Sequence, residues 1–159
     1  MALRLKTIIN KYSGLLQYWE VIKDCKPKII DIYRKSYNIP RTLYYYARDV
    51  IKGRWPEAEP HIKVDPRWAY WYASDVIKGR WPEAEPYIMK NSEWAYGYAR
   101  FVIKGRWPEV EPIIKVNPQF AYYYARDVIK GRWPEAEPYI KNSEWANSYN
   151  DFIDSLKRK

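Results

Sequence analysis

The sequence predicts an all-α fold, a short right-handed α-solenoid of 26-residue helical hairpins with degenerate N- and C-terminal caps. The octapeptide Gly-Arg-Trp-Pro-Glu-Ala-Glu-Pro begins at Gly53, Gly79, Gly105 and Gly131, always 26 residues apart, with Val110 replacing alanine in the third copy. Between the copies, apolar residues recur with the period of an amphipathic helix. A hairpin this short buries its apolar face only against its neighbours, which is why a stacked array follows.

The longer helix of each hairpin is clearest in the stretch before Gly79. Its apolar positions follow at i, i+3, i+4, i+7 and i+8: Ala69, Tyr72, Ala73, Val76 and Ile77. Asp65 is a natural N-cap, and Pro66 suits the first helical position because its missing N–H has no helical partner there. Gly79 is expected to end the helix in the left-handed conformation that glycine adopts without a Cβ clash.

A shorter helix is expected from about Pro82 to Lys90. Pro86 lies four residues after Pro82 and removes one backbone hydrogen bond, so we expect a loosened or 3₁₀-like first turn. Trp81, like its equivalents in the other copies, is expected to pack between hairpins. Arg80 and its equivalents Arg54, Arg106 and Arg132 are expected to form a salt-bridge ladder with the motif glutamates.

The whole chain of 159 residues is predicted to be one α-solenoid domain. Residues 1–41 are interpreted as basic cap helices, 42–141 as the tandem repeats and 142–159 as a C-terminal capping helix. Phe101 and Phe152 share a slot that holds Asp75 and Asp127 in the other repeats, which indicates a doubled unit of 52 residues.

Tandem copies of the octapeptide, alternating with Trp-Ala-Tyr-x-Tyr-Ala-x-x-Val-Ile-Lys, resemble a repeat family of tailed phages and giant viruses. The resemblance covers about residues 42 to 146 and leaves residues 1–40 outside. It implies a viral accessory protein of the kind that binds and blocks host machinery. No shared activity comes with the resemblance, so it assigns no functional residue.

The residues argue against an enzyme. The one histidine, His61, occupies a slot that holds Tyr87, Ile113 and Tyr139 elsewhere, which does not suit a catalytic base. The single cysteine, Cys25, excludes an intramolecular disulfide and cannot complete a zinc site with one histidine. Paired glutamates such as Glu83 and Glu85 recur in every copy and point to different sides of a helix. We therefore expect no catalytic residue, no metal and no cofactor.

Charge is concentrated at the N-terminal end. Residues 1–52 hold 11 Lys and Arg against 4 Asp and Glu, which is +7 of the formal net charge of +9. The repeats that follow are nearly neutral, so a phosphate backbone tracking the whole array is not favoured. The basic end fits a solvated cap, an anionic host protein or an end-on contact with nucleic acid. No apolar run has the length of a membrane span.

Aromatic residues make up 18% of the chain and recur in register within the repeats. The slot of Tyr45, Trp71 and Tyr123 holds glycine at Gly97, which indicates an exposed position. Exposed tyrosine and tryptophan give contact area at low entropic cost. The candidate partner-binding residues are Lys23, Lys26, Lys28, Arg34, Lys35, Arg41, Tyr45, Tyr70, Trp71, Tyr122 and Tyr123.

Two functional hypotheses follow. The first is a non-enzymatic protein of the host-cell cytoplasm that binds and inhibits a host protein or ribonucleoprotein complex of acidic character. The second is a nucleic-acid or nucleotide binder that acts through the basic N-terminal end. The sequence leaves the oligomeric state open and predicts no membrane partner.

Overall fold

The computed structural model describes residues 39–158, which form nine α-helices and no β-strand. The all-α prediction is therefore confirmed for this part of the chain. The predicted cap helices of residues 1–41 fall almost entirely outside the described residues. The helices are α1 (Ile39–Tyr46), α2 (Glu59–Ile62), α3 (Pro66–Tyr72), α4 (Glu85–Ile88), α5 (Ser92–Gly97), α6 (Glu111–Ile114), α7 (Pro118–Tyr124), α8 (Glu137–Ile140) and α9 (Ala146–Lys157).

Long and short helices alternate along the chain. The long helices α1, α3, α5 and α7 each pack on the short helix that follows, and successive members of this series pack on one another. Each of the four continues without a break into a π-helical segment. These segments are Ala47–Ile51, Ala73–Ile77, Tyr98–Ile103 and Ala125–Ile129.

The long helices begin where the sequence predicts. Asp65 caps α3, since its side chain accepts hydrogen bonds from the backbone N–H groups of Arg67 and Trp68. Asn91 caps α5 and Asn117 caps α7 in the same way. A carboxylate or amide oxygen here satisfies N–H groups that have no partner inside the helix.

The long helices end differently from the prediction. The left-handed residue is a lysine, with φ of 59° at Lys78 and nearly the same value in the other repeats. Gly79 has an ordinary φ and follows it, donating its N–H to the Ala73 carbonyl at 3.2 Å. The prediction of a left-handed Gly79 is therefore wrong by one residue. The π-helical turn shifts the cap, because the Lys78 N–H also reaches back to Ala73.

The short helices confirm the loosened first turn. Residues 82–84 form a turn in which the Ala84 N–H donates to the Trp81 carbonyl at 2.9 Å. The α-helix itself starts only at Glu85. Pro86 thus lies in its first turn, where the missing N–H costs no hydrogen bond. In the third copy this turn is a 3₁₀ helix, Pro108–Val110.

One hydrogen-bonded arrangement recurs in every repeat, and we call it the tyrosine clamp. The hydroxyl of Tyr98 accepts a hydrogen bond from the Trp81 backbone N–H at 2.6 Å and donates to Glu85 at 3.1 Å. Arg80 holds the same glutamate with two hydrogen bonds of 2.9 and 2.8 Å. The clamp ties the octapeptide loop to the next long helix. The equivalent tyrosines are Tyr72, Tyr124 and Tyr149.

The core consists mainly of aromatic and small side chains. Trp81 is 2% exposed, and its ring lies 5.0 Å from that of Tyr72 between centroids. The same pair recurs one repeat later, where Tyr98 and Trp107 are 5.1 Å apart. These contacts agree with the predicted packing of the motif tryptophans. Fully buried alanines such as Ala69 and Ala73 let the helices approach closely.

The motif arginines pair with motif glutamates as predicted, but in the described part of the chain these salt bridges do not link one repeat to the next. Each motif arginine instead pairs within its own repeat, as Arg54 does with Glu59 at 2.8 Å. The first glutamate of each motif, Glu57 in this copy, is exposed. Because the arginine stays half exposed, such a pair contributes little stability beyond positioning the glutamate for its tyrosine.

The last helix departs from the others. Helix α9 stays α-helical for 12 residues and has no π-helical segment. Its Tyr149 still completes a clamp, because its hydroxyl accepts from the Trp133 N–H at 2.9 Å. Glu137 is held from both sides by Arg132 and Lys141, which lowers the pKa of its carboxyl to about 2.

Candidate interaction surface

Aromatic rings cross the joint between every pair of neighbouring long helices. A tyrosine from one helix lies against an aromatic residue at the start of the next, in its first turn or, for Trp145, directly before it. The centroid distances are 5.5 Å for Tyr44–Trp68, 5.8 Å for Tyr70–Trp94, 6.1 Å for Tyr96–Phe120 and 5.9 Å for Tyr122–Trp145. Pairs at these distances are favourable beyond the area they bury, so this row stiffens the array.

Arginine side chains cover part of this aromatic row. The Arg48 guanidinium lies 4.6 Å from the Tyr45 ring centroid and 5.1 Å from that of Tyr44. Three repeats later, the Arg126 guanidinium lies 5.0 Å from the Tyr123 ring centroid and 5.2 Å from that of Tyr122. A guanidinium at this distance is attracted to the ring face and is partly held in place by it.

Carboxylates complete the layer, and they differ between repeats. Tyr44 donates its hydroxyl hydrogen to Asp75, and Tyr96 donates to Asp127. The Asp127 carboxylate also accepts two hydrogen bonds from the Arg126 guanidinium, at 2.7 and 2.9 Å. It accepts a further one from Arg100 of the preceding repeat. Asp75 has no arginine partner within residues 39–158.

The charges around Asp127 set its protonation. Burial alone would raise the pKa of this carboxyl, but the hydrogen bonds from Arg126 and Tyr96 and the charge of Arg100 lower it below its usual value. Asp127 is therefore a fixed anion with its charge balanced locally.

A few large apolar side chains remain exposed beside this layer. Trp71 is 37% exposed and Phe101 is 52% exposed, while Tyr45 and Tyr123 are half-buried. We call these four residues, one in each repeat, the aromatic edge. Trp71 and Tyr45 line one cleft of about 310 Å³ together with Tyr44, Arg48, Trp68 and Asp75.

The structure places the candidate partner-binding residues in three different situations. Lys23, Lys26, Lys28, Arg34 and Lys35 lie outside the described residues. Arg41, Tyr45, Trp71 and Tyr123 reach the surface, and the Arg41 guanidinium is 5.8 Å from the Tyr45 ring centroid. The other two candidates are buried, with Tyr70 7% exposed and Tyr122 9% exposed. Tyr70 and Tyr122 therefore support the edge from beneath and offer little surface to a partner.

The interpretation of Gly97 as a sign of an exposed slot is wrong. Gly97 is buried, and a Cβ atom there would come within 3.4 Å of the Tyr70 ring. The glycine makes room for this tyrosine from the preceding repeat. In that repeat the exposed apolar residue is Phe101, one helical turn further along.

The charged partners of the aromatic layer were not among the sequence candidates. Asp75, Arg100 and Asp127 carry hydrogen bonds that join neighbouring repeats. Arg48 and Arg126 instead bind the tyrosine and the aspartate of their own repeat. The alternation of aspartate and phenylalanine every 52 residues was the available signal. This alternation indicates which contacts between neighbouring repeats are polar and which are apolar. The Tyr96 hydroxyl donates a hydrogen bond to Asp127, whereas at the equivalent place the Tyr122 and Phe152 ring centroids are 6.5 Å apart.

Within residues 39–158, no three side chains of His, Cys, Asp or Glu lie close enough to hold a metal ion. The helices of this described part are also too short or too polar to cross a membrane.

Comparison with known proteins gives no relative for the chain. No family model, no curated protein and no solved structure matches it.

Proposed function

We propose that the protein is a non-enzymatic viral accessory protein that binds and inhibits a host macromolecule in the host-cell cytoplasm. Its repeats would form a short right-handed α-solenoid of 26-residue hairpins, closed by basic helices at the N-terminal end and by α9 at the other. The viral setting and the inhibition rest on the resemblance of the tandem octapeptides. The binding role is supported by the aromatic edge.

The observation that carries the proposal is the contrast between the aromatic edge, which reaches the surface, and the buried residues beneath it, which hold it in place. The edge residue is a half-buried tyrosine in the first and fourth repeats, an exposed tryptophan in the second and an exposed phenylalanine in the third, on a scaffold that is otherwise repeated. Trp71 has 37% of its surface open to solvent, yet its ring is held 4.9 Å from the buried Tyr70. Side chains that are large, exposed and already fixed lose little entropy on binding, so they are suited to be anchors of an interface.

The aromatic edge predicts a protein or ribonucleoprotein partner. An exposed tryptophan and an exposed phenylalanine favour burial against an apolar surface, which depends weakly on salt. The test is capture of partners from host lysate by the wild-type protein and by Trp71→Ser with Phe101→Ser. We expect a specific partner to be lost with the double variant.

The chain offers a matched control for this experiment. Val64 and Val116 are 52% and 53% exposed, but they lie in the linkers before α3 and α7. Val64→Ser with Val116→Ser should therefore keep the partner. Equal capture by both double variants would mean that the aromatic edge is not the binding surface.

A second candidate function is nucleic-acid binding at the N-terminal end. It is favoured by the +7 charge of residues 1–52 and by Arg41, which is exposed beside the Tyr45 ring. Affinity would then fall steeply with salt, because binding releases counterions from phosphates. Nuclease treatment of the lysate and reversal of Lys26, Lys28, Arg34 and Lys35 to glutamate separate this function from the first. Both should abolish capture of nucleic acid and leave an edge-bound protein in place.

A further inference from the structure

One place in the aromatic layer differs from its equivalents. Three of the four repeats carry an arginine four residues after the joint tyrosine, namely Arg48, Arg100 and Arg126. The second repeat carries Ser74 there. This single difference leaves both a carboxylate and an aromatic face without the cation that their equivalents have.

The fourth repeat shows what the arginine does. Arg126 donates two hydrogen bonds to Asp127, at 2.7 and 2.9 Å, and its guanidinium lies 5.0 Å from the Tyr123 ring centroid. It also reaches the Tyr122 hydroxyl at 3.4 Å. One guanidinium thus meets a carboxylate, a ring face and a phenol oxygen together, in the planar bidentate geometry that arginine provides.

The second repeat presents the same three groups with no guanidinium between them. Asp75 accepts a hydrogen bond from Tyr44, and this is its partner within the described residues. Trp71 stands in the slot of Tyr123, and Tyr70 in that of Tyr122. Asp75 lies close enough to Tyr70 to raise the pKa of its hydroxyl, after the larger effect of burial.

The nearby cations are committed elsewhere. Arg48 borders the same cleft as Trp71 and Asp75, but its guanidinium donates to Asp49 at 2.6 and 3.0 Å and to Tyr44 at 2.9 Å. Arg100 donates to Asp127 and to Tyr96. The described part of the chain therefore supplies no guanidinium that pairs with Asp75.

We propose that Trp71 and Asp75 form a docking site for an arginine side chain of a partner protein, with the buried Tyr70 holding the Trp71 ring in place. The guanidinium lies over the Trp71 ring and pairs with the Asp75 carboxylate, as Arg126 does with Tyr123 and Asp127 inside the chain. The occupant is argued from this internal copy and from charge complementarity. The inference rests on the proposed function, since it names one contact that the aromatic edge makes with its macromolecular partner.

Arginine is favoured over lysine by the geometry. A carboxylate beside a flat aromatic face matches a planar group that can donate two parallel hydrogen bonds and stack at the same time. An ammonium group is a point charge that gives up one of these two contacts. A quaternary ammonium group could use the ring but could not donate a hydrogen bond to Asp75.

The site is tested with small probes and the intact protein. N-acetyl-arginine amide, N-acetyl-lysine amide and tetramethylammonium are titrated while the Trp71 indole and residues 74–75 are followed by NMR. We expect saturable shifts at these residues with the arginine probe and at least about tenfold weaker binding of the other two, a difference of roughly 1.4 kcal/mol. Equal binding of all three, or stronger binding of tetramethylammonium, would overturn the assignment.

Two different variants are used so that the result does not depend on whether one of them folds correctly. Asp75→Asn keeps the side-chain shape and removes the charge, and Ser74→Arg supplies the guanidinium from within the chain. Both should abolish the arginine response, and Ser74→Arg should also raise Tm. Glu93→Gln is the control, since it removes an equal charge at an exposed position and should leave the response unchanged. An undiminished response in Ser74→Arg, with its Tm not lowered, would show that the site lies elsewhere.

The two proposals fail in different ways. If capture of the partner from lysate is lost with Trp71→Ser and Phe101→Ser but kept with Asp75→Asn and Ser74→Arg, the edge binds and the arginine site is refuted. If capture survives all of these variants, the aromatic edge itself is not the interface.

Discussion

The tyrosine clamp and the aromatic edge lie in the same repeats, but the clamp residues are constant from copy to copy and the edge residues vary. The clamp uses the same residues each time, and the hydrogen bond from the tryptophan N–H to the tyrosine hydroxyl stays between 2.6 and 2.9 Å in all four copies. The edge changes from Tyr45 to Trp71, Phe101 and Tyr123. The clamp residues are the same in every copy because each copy needs the same contact, which joins its octapeptide loop to the next long helix.

The difference shows how stability and recognition are divided within one small unit. The clamp residues are buried or paired with one another, so a change in any of them affects its neighbours. The edge residues have one exposed side, so they can vary without disturbing the stack. If this division holds, a change in the clamp destabilises the fold more than a change at the edge.

The largest effect is expected at alkaline pH, because it acts on all clamps together. Burial raises the pKa of Tyr124 to about 12, and it also raises the pKa of Tyr72, Tyr98 and Tyr149 above the ordinary 10.0. Above pH 10 the unfolded chain loses these protons while the folded protein keeps them, so stability falls as pH rises toward 12. Urea unfolding at pH 8, 10 and 11 should show a steadily falling midpoint.

Tyrosinate absorbance at 295 nm provides the control for this prediction. The clamp tyrosines should ionise together with the loss of helical circular dichroism. A protein that keeps its helices while all of its tyrosines ionise would contradict the buried clamp.

The next largest effect is expected from Trp81→Ala. This side chain is 2% exposed and packs against the ring of Tyr72, so its removal leaves a cavity in the core. We expect a loss of about 3–5 kcal/mol in the free energy of unfolding. Chemical denaturation measures it, and a loss below about 1 kcal/mol would mean that the gap closes without this ring.

Tyr98→Phe should have a smaller effect, because it removes one oxygen and keeps the ring. The Trp81 N–H then loses its acceptor in a buried place, and Glu85 loses a donor. Leaving such a group unsatisfied costs about 1–3 kcal/mol. The matched control is Tyr87→Phe, because Tyr87 is partly exposed and makes no clamp; it should be close to neutral.

Much of the scaffold could be predicted from the sequence because its signals are local. The caps at Asp65 and Asn91, the proline at the start of α3 and the weak first turn before Glu85 each depend on a few neighbouring residues. The π-helical segments could not be predicted in this way. The spacing of apolar residues indicates a helix but does not specify where a turn widens from the α-helical to the π-helical hydrogen-bond pattern.

The candidate surface was predicted less well, since exposure depends on packing between repeats. Trp71 and Tyr45 reach the surface and line one cleft, but Tyr70 and Tyr122 are buried against aromatic residues that follow them by more than 20 positions. A glycine in a slot does not by itself distinguish an exposed position from a crowded one, and Gly97 lies in a crowded one. Its real partner, the Tyr70 ring, lies in another helix, so only the three-dimensional structure reveals the role of the glycine.

Lys78→Gly tests whether every repeated residue serves stability. Lys78 is exposed and has a φ of 59°, which costs a side-chain-bearing residue about 1 kcal/mol or more. Glycine accepts this conformation, so the variant should be more stable by about 1 kcal/mol. Gly79→Ala is the paired control; its Cβ meets nothing within 4 Å and its φ is ordinary, so it should not be severely destabilising. A loss of stability in Lys78→Gly would mean that the lysine makes a stabilising contact that offsets its backbone.

The smallest effect is expected from Phe101→Asp. This change gives the third repeat the aspartate that the second and fourth repeats carry at the equivalent position, Asp75 and Asp127. Phe101 is 52% exposed, so little apolar burial is lost. The new carboxylate would follow Arg100 directly, as Asp49 follows Arg48 and Asp127 follows Arg126, and both of those arginines bind the next residue at 2.6–2.7 Å. It would also face the buried Tyr70, as Asp75 faces Tyr44. These gains offset the lost ring contact, so we expect a change within about 0.5 kcal/mol in chemical denaturation. A loss above about 2 kcal/mol would show that edge residues are fitted to their joints and are not free to vary, and the division between clamp and edge would then fail.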